Sequence, residues 1–194
     1  MSLNKPTKVR IGNKEYPINT DFRVALECQR IALDKSVGEY ERTLAVIYKL
    51  FGEKGLNDIE NHPKLLELGQ KYLACGKDTD ENEEEPDMDF EQDYDYILAS
   101  FMSDYKIDLE NTQMHWWTFF NLLSGLSNSE FGNCCILNRI RNLRCYDTSN
   151  IKDLKTKKKI EEAKERVALK KKEKVLTEQQ LKNIEEFKRQ AGMR

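Results

Sequence analysis

Histidines and cysteines are the residues of this chain with the widest range of possible chemistry. A nucleophile assisted by a histidine would need His62 or His115, because the chain has two histidines in all. The five cysteines form no CxxC pair and have no zinc-site spacing, although Cys134 and Cys135 are adjacent. His115 lies beside two tryptophans, which indicates a packed or helix-capping side chain and not a base. The sequence therefore predicts no catalytic residue and no metal ligand.

Loops of the kinds that bind phosphates or calcium are also missing from the sequence. The nine glycines form no P-loop, dinucleotide fingerprint or nucleophile elbow. Residues 78–82 begin like a calcium-binding loop, but Glu83 occupies the position where glycine is required, and Asp89 replaces the final glutamate. We therefore predict that the protein binds no cofactor and is not an enzyme.

Charged side chains are concentrated in two blocks of opposite sign. Residues 78–95 carry eleven acidic side chains and no basic one, whereas residues 151–194 carry fifteen lysines and arginines against eight acids. The acidic block predicts a solubilising loop at residues 76–89 or, alternatively, a surface that attracts a basic partner. The lysines alternate with glutamates and lack aromatic neighbours that could stack on bases, so nucleic acid is disfavoured as a partner.

Apolar periodicity predicts a short β-hairpin followed by helices. Alternating runs at residues 9–11 and 16–18 flank turn-forming residues at 12–15. A helix capped by Thr20 or Asp21 begins near Phe22. The helical repeat then predicts further helices at residues 40–51, closed by Gly52 and Gly55, and at residues 61–73, 94–105, 116–120, 135–143, 151–167 and 177–191.

These elements predict a mainly α protein: a compact helical domain with a small N-terminal β-hairpin and a C-terminal helical extension. We place the core domain at residues 1–150, including the acidic loop, and the lysine-rich helical extension at residues 151–194. No apolar run reaches the roughly 20 residues needed to cross a bilayer, and no hydrophobic leader is recognisable. The odd number of cysteines favours reduced thiols, so we expect a soluble protein of a cytoplasm.

Large apolar residues on two of the predicted helices are the candidates for core anchors or partner-binding residues. They are Trp116, Trp117, Phe120, Leu181, Ile184 and Phe187. Adjacent tryptophans on a helix point about 100° apart, so the first group can join several helices in a core or offer a groove to a partner. The last three share one face of the terminal helix, which either docks on its own domain or binds a partner.

Four segments follow the hairpin in a recognisable order, with the acidic block after the first. They are Asp21-Phe22-Arg23, Asp93-Tyr94-Asp95-Tyr96-Ile97-Leu98-Ala99-Ser100-Phe101, Tyr105-Lys106-Ile107-Asp108-Leu109 and Met114-His115-Trp116-Trp117-Thr118-Phe119. This order resembles the bacteriophage family named after the fifteenth gene product of tailed phages that infect Gram-positive bacteria. The resemblance spans approximately residues 9–153 and is sharpest over residues 104–120.

The resemblance implies a product of the phage tail module, encoded close to the tape-measure gene, where long-tailed phages place tail assembly chaperones. Such a chaperone would bind tape-measure and tail-tube proteins in the cytoplasm of the bacterial host, alone or as an oligomer, and would be absent from the virion. It would need neither a catalytic residue nor a membrane. Two alternatives stay open: a structural component of the virion tail, and a nucleic-acid-binding phage regulator acting through the C-terminal lysines.

Overall fold

The computed structural model describes residues 5–77, 86–129 and 133–170. In these ranges the chain forms helices and one two-stranded antiparallel hairpin, which confirms the predicted mainly α class. The chain divides into two compact units. We call the described residues 5–77 the N-terminal unit and the described residues from 86 to 170 the second unit. The predicted division into a core domain at residues 1–150 and an extension at residues 151–194 stays a prediction.

The elements of the N-terminal unit are β1 (Lys8–Ile11), β2 (Lys14–Pro17), α1 (Phe22–Leu33), α2 (Glu39–Leu56), a short 3-10 helix (Ile59–Asn61) and α3 (His62–Leu73). Those of the second unit are α4 (Tyr94–Tyr105), α5 (Trp116–Ser124), α6 (Ile136–Cys145) and α7 (Leu154–Val167). None of the described helices combines the length and apolar character needed to span a membrane.

The predicted hairpin is present, with a tighter turn than the sequence suggested. Val9 pairs with Tyr16 and Ile11 pairs with Lys14, so the loop contains only two residues. Gly12 in that loop has φ +55°, a left-handed conformation that glycine adopts without steric cost. The predicted four-residue turn was therefore wrong at its C-terminal side, because Lys14 and Glu15 already belong to β2.

Hydrogen bonds join the hairpin to the loop between α2 and α3. The Asp58 carboxylate accepts hydrogen bonds from the Tyr16 hydroxyl, from Lys14 Nζ at 2.7 Å and from Asn61 Nδ2 at 3.1 Å. These donors, first of all Lys14, lower the pKa of Asp58 from its ordinary value of 3.8 to about 2. The Tyr16 side chain is fully buried, so the hairpin is held both by packing and by this carboxylate.

Helix α1 packs against α2, and α2 packs against α3. The side chain of Asp21 accepts a hydrogen bond from the backbone N–H of Arg23 at 2.9 Å, which makes Asp21 the cap that the sequence predicted. The core of the unit is built from Tyr16, Phe22, Ala25, Cys28, Val46, Ile47, Leu50, Phe51, Leu65 and Tyr72.

Helix α2 has a break at Gly52, where φ is +64° and ψ is −161°. The backbone N–H of Asn19 donates to the carbonyl of Leu50 at 2.8 Å, so the end of the hairpin contacts the helix just before the break. The sequence predicted that Gly52 and Gly55 end this helix. The structure corrects that prediction, because a further helical turn follows the break and reaches Leu56.

The second unit contains a core of helices α4, α5 and α6, with α7 on α6. Its fully buried side chains include Ile97, Phe101, Trp116, Phe119 and Leu137. Helix α7 contains no buried residue, in agreement with its thin apolar stripe. Residues 78–85 of the predicted acidic loop and the predicted terminal helix at 177–191 lie outside the described residues.

We predict that Gly52→Ala destabilises α2. The conformation of Gly52 is open almost exclusively to glycine, and an alanine there costs about 1–3 kcal/mol. Hydrogen exchange of the α2 amides measures this cost as faster opening of the helix. The neighbouring exposed substitution Glu53→Ala is the control, and unchanged protection in Gly52→Ala would contradict the assigned backbone conformation.

We predict that Asp58 makes the hairpin sensitive to acid. Because the fold lowers its pKa, ionised Asp58 stabilises the fold above pH 3.8, and this contribution disappears as the pH falls towards 2. Thermal unfolding followed from pH 5 to pH 2 should therefore show a smaller loss of Tm in Asp58→Asn than in the wild type. The exposed neighbour Glu60→Gln serves as the control, and parallel curves for Asp58→Asn and the wild type would refute the prediction.

Candidate functional site

The segment from Asp104 to Leu109, where the sequence resemblance is sharpest, ends helix α4 and turns the chain. Lys106 adopts a left-handed conformation with φ +58°. Its N–H donates to the carbonyl of Met102 at 3.2 Å, and that of Ile107 donates to Phe101 at 3.3 Å. These two bonds satisfy carbonyls that the helix end would otherwise leave unpaired. Leu109 then enters the core with 1% of its surface exposed.

The same segment fixes the loop that follows helix α5. Asp104 accepts a hydrogen bond from the backbone N–H of Ser127 at 2.8 Å. The Tyr105 hydroxyl donates to the carbonyl of Leu122 at 2.9 Å. Both side chains therefore connect the end of α4 to the end of α5, which explains structurally why this motif is a prominent part of the sequence.

Histidine 115 is the cap of helix α5. Its Nδ1 accepts a hydrogen bond from the backbone N–H of Trp117 at 3.0 Å, so this nitrogen carries no proton in the capped helix. The other histidine, His62, contacts the carbonyl of Leu56 through Nε2 at 2.9 Å. Both histidines thus have local structural contacts, as the sequence suggested for His115.

Five aromatic side chains form what we call the aromatic cluster: Phe90, Phe101, Trp116, Phe119 and Phe120. Phe119 stacks on Phe101 with ring centroids 5.2 Å apart and on Trp116 at 5.8 Å. Phe90 meets the edge of Trp116 at 6.3 Å, and Phe120 lies 5.6 Å from the same ring. Phe119 also meets Phe90 at 6.5 Å, so Trp116 and Phe119 together form the centre of the cluster.

The residues predicted as anchors occupy different depths in this unit. Trp116 is fully buried, whereas Trp117 and Phe120 are partly exposed on the same helix. Trp117 also meets the His115 ring at a centroid distance of 6.5 Å, nearly perpendicular to it. The sequence left open whether these residues are core anchors or partner-binding residues. Leu181, Ile184 and Phe187 lie outside the described residues, so their role stays a prediction.

A buried ion pair, which the sequence analysis missed, joins α6 to the residue that precedes α4 in the second unit. Arg144 on α6 donates to both oxygens of Asp93, each at 2.7 Å. The Asp93 side chain is 1% exposed and that of Arg144 is 11% exposed. Asp93 also accepts from the backbone N–H of Asp89 at 3.0 Å. The Asp93 hydrogen bond raises the pKa of Arg144, so the guanidinium stays charged.

Hydrogen bonds of Arg144 and Gln92 connect the C-terminal end of α7 to α6 and to the segment before α4. Arg144 Nε donates to the carbonyl of Val167 at 2.6 Å, where a cation is favoured at the end of a helix. The side-chain amide of Gln92 accepts from the backbone N–H of Lys170 at 2.8 Å and donates to its carbonyl at 3.1 Å. Residues 167–170 of the lysine-rich extension are thus bound to α6 and to the segment before α4.

Three cysteine side chains, those of Cys28, Cys75 and Cys135, have surroundings that indicate packing or capping. Burial raises the pKa of Cys28 to about 12 and that of Cys75 to about 11, which keeps both as neutral thiols at neutral pH. The sulfur of Cys135 accepts from the backbone N–H of Asn138 at 3.4 Å at the start of α6. Within the part of the chain that the structure describes, no group of three His, Cys, Asp or Glu side chains could hold a metal ion.

The chain belongs to the phage family described as Bacteriophage Gp15 protein, which matches residues 3–169. This match confirms the family resemblance seen in the sequence. The family is one of phage structure and morphogenesis and is not a known enzyme family. No curated protein and no solved structure matches the chain.

We predict that breaking the Asp93–Arg144 pair strongly destabilises the second unit. Asp93→Asn leaves the Arg144 charge buried without its counter-ion, which costs about 3–5 kcal/mol. Urea unfolding followed by tryptophan fluorescence measures the loss, because both tryptophans lie in this unit.

Two further variants test the cause of that loss. The double variant Asp93→Asn/Arg144→Met should recover part of the stability, because it removes both charges. Arg141→Met is the matched control. Its ion pair with Asp87 leaves both side chains 35% exposed, so the loss should stay below about 1 kcal/mol. Equal losses for Asp93→Asn and Arg141→Met would contradict a special role for the buried pair.

Proposed function

We propose that this chain is a tail assembly chaperone that binds the tape-measure protein of its phage. In this role it holds tape-measure helices soluble in the cytoplasm of the bacterial host, brings tail-tube subunits to them and leaves before the virion is complete. Family membership supports a function in phage structure or morphogenesis. The step from that class to a chaperone is our proposal.

The observation that carries the proposal is the position of α5 in the second unit. Trp116 and Phe119 are fully buried, and next to them Trp117 and Phe120 leave part of their surface exposed. The Phe120 ring packs against the Trp116 ring, with centroids 5.6 Å apart and planes tilted by 57°. A partner can therefore bury these side chains at a small further cost in conformational entropy. Tryptophan is enriched among the residues that dominate binding energy at protein interfaces.

The chemistry of this surface suits an amphipathic helix. Trp117 and Phe120 are three residues apart on α5 and therefore share one face of the helix. A partner helix can place its apolar face against such an edge, the mode in which grooves recognise helices.

Co-expression with the phage tape-measure protein tests the proposal. We expect a soluble complex of defined mass by size-exclusion chromatography with light scattering. Trp117→Glu and Phe120→Glu should each weaken the complex at least tenfold, since removing an interface hot spot costs about 2 kcal/mol or more.

The control for these variants is Tyr146→Glu. Tyr146 is an aromatic residue of the same unit that is 50% exposed, and it lies outside the aromatic cluster. Circular dichroism checks that all three variants stay folded. A tape-measure protein that stays insoluble beside a lone chain would refute the chaperone role. Stoichiometric amounts of the chain in purified virions would instead assign it to the tail structure.

A further inference from the structure

Helix α2 of the N-terminal unit carries exposed apolar residues along one side. Tyr40 is 67% exposed and Tyr48 is 48% exposed, and Leu44 lies between them with partial exposure. Residues four apart on a helix are neighbours on its surface, so the three form one continuous strip. We call Tyr40, Leu44 and Tyr48 the α2 stripe. Leu33 at the end of α1 and Val37 in the loop before α2 are also exposed apolar residues.

At its other end the α2 stripe leads into an open cleft of about 480 Å³. Tyr48 lines the cleft together with Pro17 and Ile18 from the hairpin and Phe51 from α2. The break at Gly52 forms the end of the cleft. Apolar surface therefore runs along α2 from its first turn to the break, and contiguous exposed surface of this kind marks a docking site.

The terminal segment, which we define as residues 171–194, contains a predicted helix with one apolar face that could cover the α2 stripe. It lies beyond both the described residues and the family match, which ends at residue 169. Its sequence predicts a helix at residues 177–191, about 22 Å long at 1.5 Å per residue. Residues 39–51 of α2, which precede the break, have a length of about 20 Å by the same rise. The two helices match in length.

Charges set the direction in which the two helices would pair. The first turn of α2 carries Glu39 and Glu41, and Lys49 and Lys54 follow towards its other end. The predicted terminal helix has the same order, with Glu178 near its start and Lys188 and Arg189 near its end. In an antiparallel arrangement each charged end therefore meets charges of the opposite sign.

We propose that residues 177–191 dock as an amphipathic helix on the α2 stripe of the same chain, antiparallel to α2. Leu181, Ile184 and Phe187 cover the stripe, with Leu181 at the cleft and Phe187 near Tyr40. Attachment to the same chain favours this occupant over a second copy, because a tether supplies an effective concentration on the order of millimolar. This proposal does not depend on the identity of the tail partner.

Photo-crosslinking in the full chain tests both the contact and its direction. A photoreactive phenylalanine analogue replaces Tyr48 in one variant and Tyr40 in another, and mass spectrometry locates the links. We expect the Tyr48 position to link to residues 178–184 and the Tyr40 position to residues 185–191. The same analogue at Ile59, which is 72% exposed and outside the stripe, should give no link to the terminal segment.

Mixed isotopic labelling separates links within a chain from links between chains. Links that join a heavy and a light chain would show that a second copy covers the stripe and would overturn the proposal. Links in the reverse order would overturn the antiparallel direction. The absence of any link to residues 177–191 would overturn the contact itself.

Hydrogen exchange provides a second measurement that needs no crosslinker. We expect amides of residues 177–191 to be protected in the wild type. They should exchange at least tenfold faster in Tyr48→Glu and in Phe187→Glu, while Ile59→Glu leaves them unchanged. Unprotected amides in the wild type, or equal effects of Tyr48→Glu and Ile59→Glu, would refute the docking.

Discussion

The buried ion pair between Asp93 and Arg144 is the constraint on which the second unit depends. One guanidinium binds the residue before α4, the carbonyl of Asp87 at 2.9 Å and the last turn of α7. A buried ion pair adds little net stability over a well-packed apolar pair. An arrangement that buries either charge without its partner is strongly destabilised, so the pair favours one arrangement of the helices. Arg144 therefore fixes where α4, α6 and α7 meet, and it holds the C-terminal end of α7 against α6.

The position of the aromatic cluster depends on the Asp93–Arg144 pair, because Phe90 belongs to both regions. Phe90 lies three residues before Asp93, and it packs on Trp116 and Phe119. Fixing Asp93 thus also fixes the approach of Phe90 to α5, beside the partly exposed side chains of Trp117 and Phe120. Family membership places the chain among phage structural or morphogenesis proteins, and this aromatic edge of α5 is the surface on which the proposed partner binding rests.

Elements whose signals are local were predictable from the sequence. The Asp21 cap, the start of α3 at His62–Pro63 and the apolar repeat of α4 all arise from interactions within a few residues. The break in α2 was interpreted as the end of a helix, because glycine is a local signal for a helix end. The contact next to the break is a hydrogen bond from Asn19 to Leu50, and a partner so far away in the chain leaves no local signal. Asp93 was counted with the acidic block for a similar reason, since its partner Arg144 lies 51 residues further on.

By itself the sequence determined the helical class, the hairpin, the candidate aromatic anchors and the phage family, because periodicity, capping residues and motif order are properties of neighbouring positions. Tertiary structure alone decided that Trp116 is buried while Trp117 stays partly exposed, and that one acid among eleven becomes the counter-ion of a buried arginine. Burial and charge pairing depend on which distant segments meet. The identity of a side chain sets the free energy of removing it from water, but only that meeting decides whether it is removed and whether a buried charge finds its counter-ion.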